Sequence, residues 1–162
     1  MDPSDVTRIL KDPIAQALLH SPLLAHLAYC GVDGFPRSVP IGGLWNGAEY
    51  VVCTATKAPK VAALRKNPKV AFAIDTEHDV QPPHVLLVRG VAHLDMVNGV
   101  PTEFLEASRK ALPQEQWASF ETQARGLYPQ MARIAIRPVW VKVLDFETRL
   151  PQAVANLLNG QS

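Results

Sequence analysis

Apolar residues first recur with helical spacing and then switch to alternation. Val6, Ile9, Leu10, Ile14, Leu18 and Leu19 fall three to five positions apart, which predicts an amphipathic helix over residues 5–19. Ser4 or Asp5 is its expected cap, and Pro13 kinks or divides it. From residue 23 the pattern is that of strands. Leu24–Cys30 is the first, followed by Asp33-Gly34, a dipeptide suited to a tight hairpin. Pro36–Leu44 is the second; Pro40 and Gly42-Gly43 inside it imply an edge or a bulge. Asn46-Gly47 marks another hairpin, and Glu49–Thr54 is the third strand. These three strands predict an antiparallel meander.

Pro59 suits the first position of a helix, and Lys60–Lys66 follows with Val61 and Leu64 on one stripe before Asn67-Pro68 stops it. Lys69–Asp75 alternates cleanly as a fourth strand. A loop over Thr76–Pro83 leads to a long fifth strand, His84–Asp95, in which Gly90 marks a bend or a close approach. Helices are expected over 101–112, opened by Pro101 or Thr102, and over 114–127, with Pro113 between them. A sixth strand, Ala132–Asp145, is interrupted at Arg137-Pro138, and residues 151–162 form a partly helical tail. The fold class read from this order is mainly β with peripheral α. It has six antiparallel strands, an N-terminal helix, a short helix after the third strand and two helices before the last. Residues 1–162 form one domain, with no repeat, low-complexity stretch or linker.

Composition narrows the functional classes. The formal net charge is +1, so no bulk field draws the chain to nucleic acid or to an anionic membrane. No run reaches the roughly 18 apolar residues of a membrane span. The start, Met1-Asp2-Pro3-Ser4-Asp5, lacks the features of a signal peptide, which makes the cytoplasm the expected location. Cys30 and Cys53 lie in apolar strands and read as reduced core thiols. The five histidines, His20, His26, His78, His84 and His93, show no metal-ligand spacing, and no metal site or catalytic dyad is expected. His26, His84 and His93 fall on strands as partly buried structural residues.

One joint stands apart. Between Lys57 and Lys69 lie five basic residues and no acid. A strand running into a helix N-terminus is a natural anion site, because free peptide N–H groups and the helix dipole both favour negative charge. Thr54 and Thr56 add hydroxyl donors there; Lys57 and Lys60 add full charges. Arg37, on the second strand, is expected to converge on the same place.

The order Leu24–Cys30, Asp33-Gly34, Pro36-Arg37-Ser38-Val39-Pro40, Leu44-Trp45-Asn46-Gly47, Thr54-x-Thr56-Lys57-x-x-Lys60-Val61, Leu64-Arg65-Lys66-Asn67-Pro68-Lys69-Val70-Ala71 and Val88-Arg89-Gly90-Val91-Ala92 resembles the pyridoxamine 5′-phosphate oxidase-like flavin-binding split-barrel superfamily. It is most similar to the small branch that includes deazaflavin-dependent reductases. The resemblance implies a six-stranded antiparallel split barrel that forms a homodimer, with one cofactor in each of two clefts between subunits. It implies FMN as cofactor, or alternatively the deazaflavin coenzyme F-420. Lys60 matches the phosphate-binding lysine; Thr54, Ala55, Thr56, Lys57 and Val61 fall where family members line the phosphate and ribityl chain. Arg37, Ser38, Val39, Pro40 and Ile41 would run along the ring system. Trp140, with Trp45 and Tyr29, is a candidate for lining the cleft. Thr56-Lys57-Ala58 stands where many members carry Ser-Arg-Lys, and Ala63 replaces a frequent asparagine. The Trp and Arg with which true pyridoxamine phosphate oxidases bind substrate have no match, which points away from vitamin B6.

Two function classes follow. The first is an oxidoreductase moving hydride or electrons between the cofactor and a small molecule, with no protein residue acting as catalyst. The second is a non-catalytic split barrel that sequesters flavin, deazaflavin or haem.

Overall fold

The structure is a computed structural model and describes residues 1–76 and 81–160. His78, one of the five histidines, lies outside the described residues. The predicted N-terminal helix is divided at Pro13 into α1 (Pro3–Leu10) and α2 (Pro13–His20). Both open on an Asp-Pro pair. The Asp2 carboxylate accepts the Ser4 N–H at 2.8 Å, and that of Asp12 accepts the Ile14 N–H at 2.9 Å. The caps are therefore Asp2 and Asp12 rather than Ser4 or Asp5: the proline after each aspartate lacks an N–H and has a φ already set for the first helical position.

The strands form one antiparallel sheet of seven, not six. They are β1 (Ala25–Cys30), β2 (Pro36–Ile41), β3 (Leu44–Trp45), β4 (Tyr50–Ala55), β5 (Lys69–Asp75), β6 (Val85–Asn98) and β7 (Gln130–Leu144). Their order is β2-β1-β5-β6-β7-β4-β3, and the end strands β2 and β3 do not pair, so the sheet is not closed. The extra strand arises because the expected strand over 36–44 breaks at Gly42-Gly43. The ring of Tyr50, itself buried and stacked on Phe72 at 4.8 Å, fills the space that a side chain at Gly43 would need. The chain crosses there from one edge of the sheet to the other. The expected meander is replaced by two hairpins at opposite edges, and β4 pairs with β7 rather than with β2.

The long pair β6–β7 is the backbone of the sheet, running from Val85↔Leu144 to Asn98↔Gln130. Its register shifts between Arg89 and Gly90. A Cβ at Gly90 would lie 2.6 Å from Ile136 Cγ2 and 2.8 Å from the Arg137 carbonyl oxygen, so the glycine is required by close approach.

The inward face of the sheet packs Leu27, Phe72, Ile74, Leu86, Val88, Ile134 and Ile136 against Leu10, Leu18 and Leu19 of the N-terminal helices and Leu64 of α3 (Pro59–Lys66). Each such side chain contributes about 1.5–3 kcal/mol by leaving water. On the other face of β4 and β7, Val51, Cys53, Met131 and Ala135 form a second core with α4 (Thr102–Arg109) and α5 (Trp117–Leu127). A 3-10 turn, Gln114–Gln116, precedes α5, and the tail carries α6 (Gln152–Leu158), which buries no residue. Among the described residues no helix is long and apolar enough to cross a membrane.

Candidate cofactor site at the joint between β4 and α3

β4 brings Thr54 and Ala55 to the joint by pairing them with Ala132 and Met131 of β7. On its other edge only Tyr50 and Val51 are paired, with Trp45 and Leu44, so the last four residues of β4 border an open edge. The chain then turns through Thr56 and Lys57. Ala58 adopts an extended conformation as N-cap of α3, and no side chain caps the helix. The first turn of α3 contains no acid.

Four polar residues lie along the chain through this helix start. Thr54, Thr56 and Lys60 are half-buried and Lys57 is exposed. Among the described residues, neither threonine hydroxyl is hydrogen-bonded and neither lysine is in an ion pair. Ala55 is exposed at the turn. Val61 is only 2% exposed and belongs to the wall behind the joint; its N–H bonds the Ala58 carbonyl at 2.9 Å. The arrangement is a set of hydrogen-bond donors and positive charges with no acceptor inside the chain. That donor set suits a phosphate.

Arg37 sits elsewhere. On β2 it opposes Tyr29, and its guanidinium pairs with Asp33 of the preceding turn at 2.6 Å, which holds the Asp33 carboxyl below the usual carboxylate range. Ser38, Val39, Pro40 and Ile41 continue β2 as an edge strand whose outer side has no partner strand. Pro40, opposite His26, is thus at an edge, where a missing N–H is tolerated. Ile41 nevertheless comes near the site-bearing strand: it lines the same cavity, of about 330 Å³, as Cys53 of β4.

Trp140 lies on β7, with the Arg89 guanidinium 4.4 Å above its ring, and faces a cleft shared with Arg8, Lys11 and Asp12. Within one chain it is not grouped with the joint. Trp45 and Tyr29 are core residues, 5% and 8% exposed. Burial pushes the Cys53 thiol up to about 12, which keeps it protonated, and does the same to the Tyr50 hydroxyl.

The histidines differ from their expected setting. His26 and His93 are solvent-facing rather than partly buried, because each falls on the outward phase of its strand; His93 pairs with Asp95 at 3.2 Å. His84 precedes β6 instead of lying on it. Among the described residues no group of three or more His, Cys, Asp or Glu side chains is placed to hold a metal ion. Lys110 is a feature that the sequence reading passed over. It looks like an ordinary helix-end lysine, yet it lines the cavity beside Ile41.

No protein-family model matches the chain, and neither does any curated protein sequence. Solved structures do. An F-420 reductase is 26% identical over 78% of this chain and 94% of its own, with a TM-score of 0.60. The heme storage protein HutZ from Vibrio cholerae is 16% identical over 83% of this chain and 93% of its own, with a TM-score of 0.58. A protein described provisionally as a pyridoxamine 5′-phosphate oxidase, from Listeria innocua, is 19% identical over 80% of this chain and 94% of its own, with a TM-score of 0.54. These likenesses are to the fold: the chain resembles solved proteins of the pyridoxamine 5′-phosphate oxidase-like split-barrel type.

Proposed function

We propose that the chain is an oxidoreductase that holds a flavin-type cofactor, FMN or the deazaflavin coenzyme F-420, by its phosphate at the joint after β4. The observation that carries this reading is the run of Thr54, Thr56, Lys57 and Lys60 through a helix start with no side-chain cap, none of them partnered among the described residues. The two hydroxyls donate to phosphate oxygens, the two ammoniums neutralise its charge, and the Lys60 peptide N–H at the start of α3 adds a backbone donor. The outer edge of β2, from Arg37 to Ile41, offers backbone donors and acceptors to a ring system. Arg37, paired with Asp33 on β2, belongs to this edge and not to the phosphate joint.

The cofactor supplies the hydride or electron transfer to a small-molecule substrate, and the chain binds it, orients it and excludes water. The deazaflavin form is favoured by the likeness to an F-420 reductase and by Arg65, Lys66 and Lys69, which have no ion pair among the described residues and suit a longer anionic tail.

A homodimer with the cofactor between subunits fits the outward face of β1, β5 and β6. There Ala28, Ala71 and Val91, with Val139 of β7, surround an apolar cleft of about 510 Å³. A dimer built on this face should bury at least ~2,000 Å².

Mass spectrometry of the ligand released from purified protein tests the cofactor, and sedimentation at micromolar concentration tests the dimer. The expected results are FMN or F-420 and a two-chain species. Failure to take up either cofactor on reconstitution, or a haem spectrum in their place, overturns the cofactor reading. A monomer overturns the shared cleft.

A further inference from the structure

We propose that the cleft between the β2–β3 crossover and the α4–α5 pair is a binding site for an apolar monocarboxylate, whose anion is held by the Lys110 ammonium. The cleft measures about 330 Å³, at the lower end of the range for small-ligand pockets. Leu23, Ile41, Phe104, Leu112 and Phe120 give it apolar walls, and Lys110 is its one charged lining residue.

The polar groups beside Lys110 are already committed. The Ser108 hydroxyl donates to the Phe104 carbonyl at 2.8 Å, and Cys53 is an uncharged thiol. Arg109, the preceding residue, is paired with Glu121 at 3.0 Å and lies over the Trp117 ring. Lys110 has no ion pair among the described residues, and burial lowers its pKa. A lysine at the C-terminal end of α4 is favoured by the helix dipole, but that interaction is available to a side chain in open water. It does not account for a half-buried lysine lining an apolar cleft, where no side chain offsets the hydration it loses.

An anion supplies the missing countercharge, and the walls accept an aliphatic or aromatic tail. One ammonium with no arginine beside it matches a single carboxylate. A dianionic phosphate needs more donors than these walls provide.

Calorimetric titration of the full chain with sodium octanoate tests the site, with octan-1-ol as the uncharged counterpart. Saturable binding of one octanoate per chain is expected. Lys110→Met should weaken it at least tenfold while leaving octan-1-ol binding within twofold. Ala107→Phe, which fills the cleft, should abolish both. The proposal is overturned if wild type shows no saturable octanoate binding below millimolar concentration, if Lys110→Met binds octanoate as wild type does, or if Ala107→Phe retains binding. Each variant is read only alongside a cooperative melting transition, and either one alone decides the outcome.

Discussion

Asp145 and Arg149, in the turn after β7, contrast with Lys57 and Lys60, in the turn after β4. The Asp145 carboxylate is 7% exposed and fully engaged. It accepts the peptide N–H groups of Glu147, Thr148 and Arg149 at 3.1, 2.8 and 2.7 Å, the Thr148 hydroxyl at 2.6 Å and Arg149 Nε at 2.9 Å. Arg149 also reaches Asp12 at 2.6 Å, the residue that caps α2, and so ties the end of the sheet to the N-terminal helices. Phe146, inside this turn, has φ of 58°, a left-handed conformation that a non-glycine residue holds only when its neighbours fix it. At the other joint, two lysines and two threonines follow one another along the chain with no hydrogen-bond or ion-pair partner among the described residues.

The largest expected effect is on the structural side. Asp145→Ala should lower the melting temperature more than any other change named here, because it removes one of the two carboxylates that hold Arg149 and leaves three peptide N–H groups without their acceptor. The hydrogen bond from the Thr148 hydroxyl, then those from Arg149 and the peptide groups, hold the Asp145 carboxyl well below the usual range. Its folded pKa is therefore below its unfolded value of about 3.9. That contribution is complete above about pH 4 and is lost as pH falls through the folded pKa. The stability gap between wild type and Asp145→Asn should be constant from pH 5 to 8 and narrow below pH 4. A gap that is independent of pH down to the acid limit would break the assignment.

Lys60→Ala comes next and moves the opposite property. It should weaken cofactor binding by about 1.5–3 kcal/mol, the range for a hydrogen bond to a charged group. The melting temperature without cofactor should hardly change, since no intrachain partner is lost. Equal cofactor affinity in wild type and Lys60→Ala would remove the phosphate from this joint.

Histidine replacement should do less. His26 and His93 face solvent, and His84 is placed by a backbone hydrogen bond to the Thr76 hydroxyl at 3.0 Å. Alanine at any of the three should leave cofactor reduction within about tenfold, or ~1.4 kcal/mol of barrier. A thousandfold loss at one of them would identify a general acid and end the cofactor-only description of the chemistry. Smallest of all is Arg65→Ala with FMN, where affinity should be nearly unchanged. With F-420 the same variant should bind measurably more weakly, and that difference separates the two cofactors.

Much of this was legible locally. Alternation in Lys69–Asp75 places Val70, Phe72 and Ile74 on the buried face, as found. The Asp33-Gly34 and Asn46-Gly47 turns fall where expected, with Gly34 and Gly47 at φ of 85° and 97°. The candidate phosphate residues are contiguous, so the joint at 54–60 could be read from chemistry alone. Arg37, Trp140 and Lys110 could not be placed in this way. Their surroundings depend on which strand lies beside which, and a sequence pattern gives the faces of a strand without its neighbours.

Alternation, turn residues and charge spacing in the sequence determine the β-rich order of elements and the basic character of the joint, because each depends on residues close in the chain. The tertiary structure alone decides that the sheet stays open with seven strands, that β4 pairs with β7, and that Lys110 borders an apolar cleft beside Ile41. These follow from which strands lie side by side, and no local period encodes that.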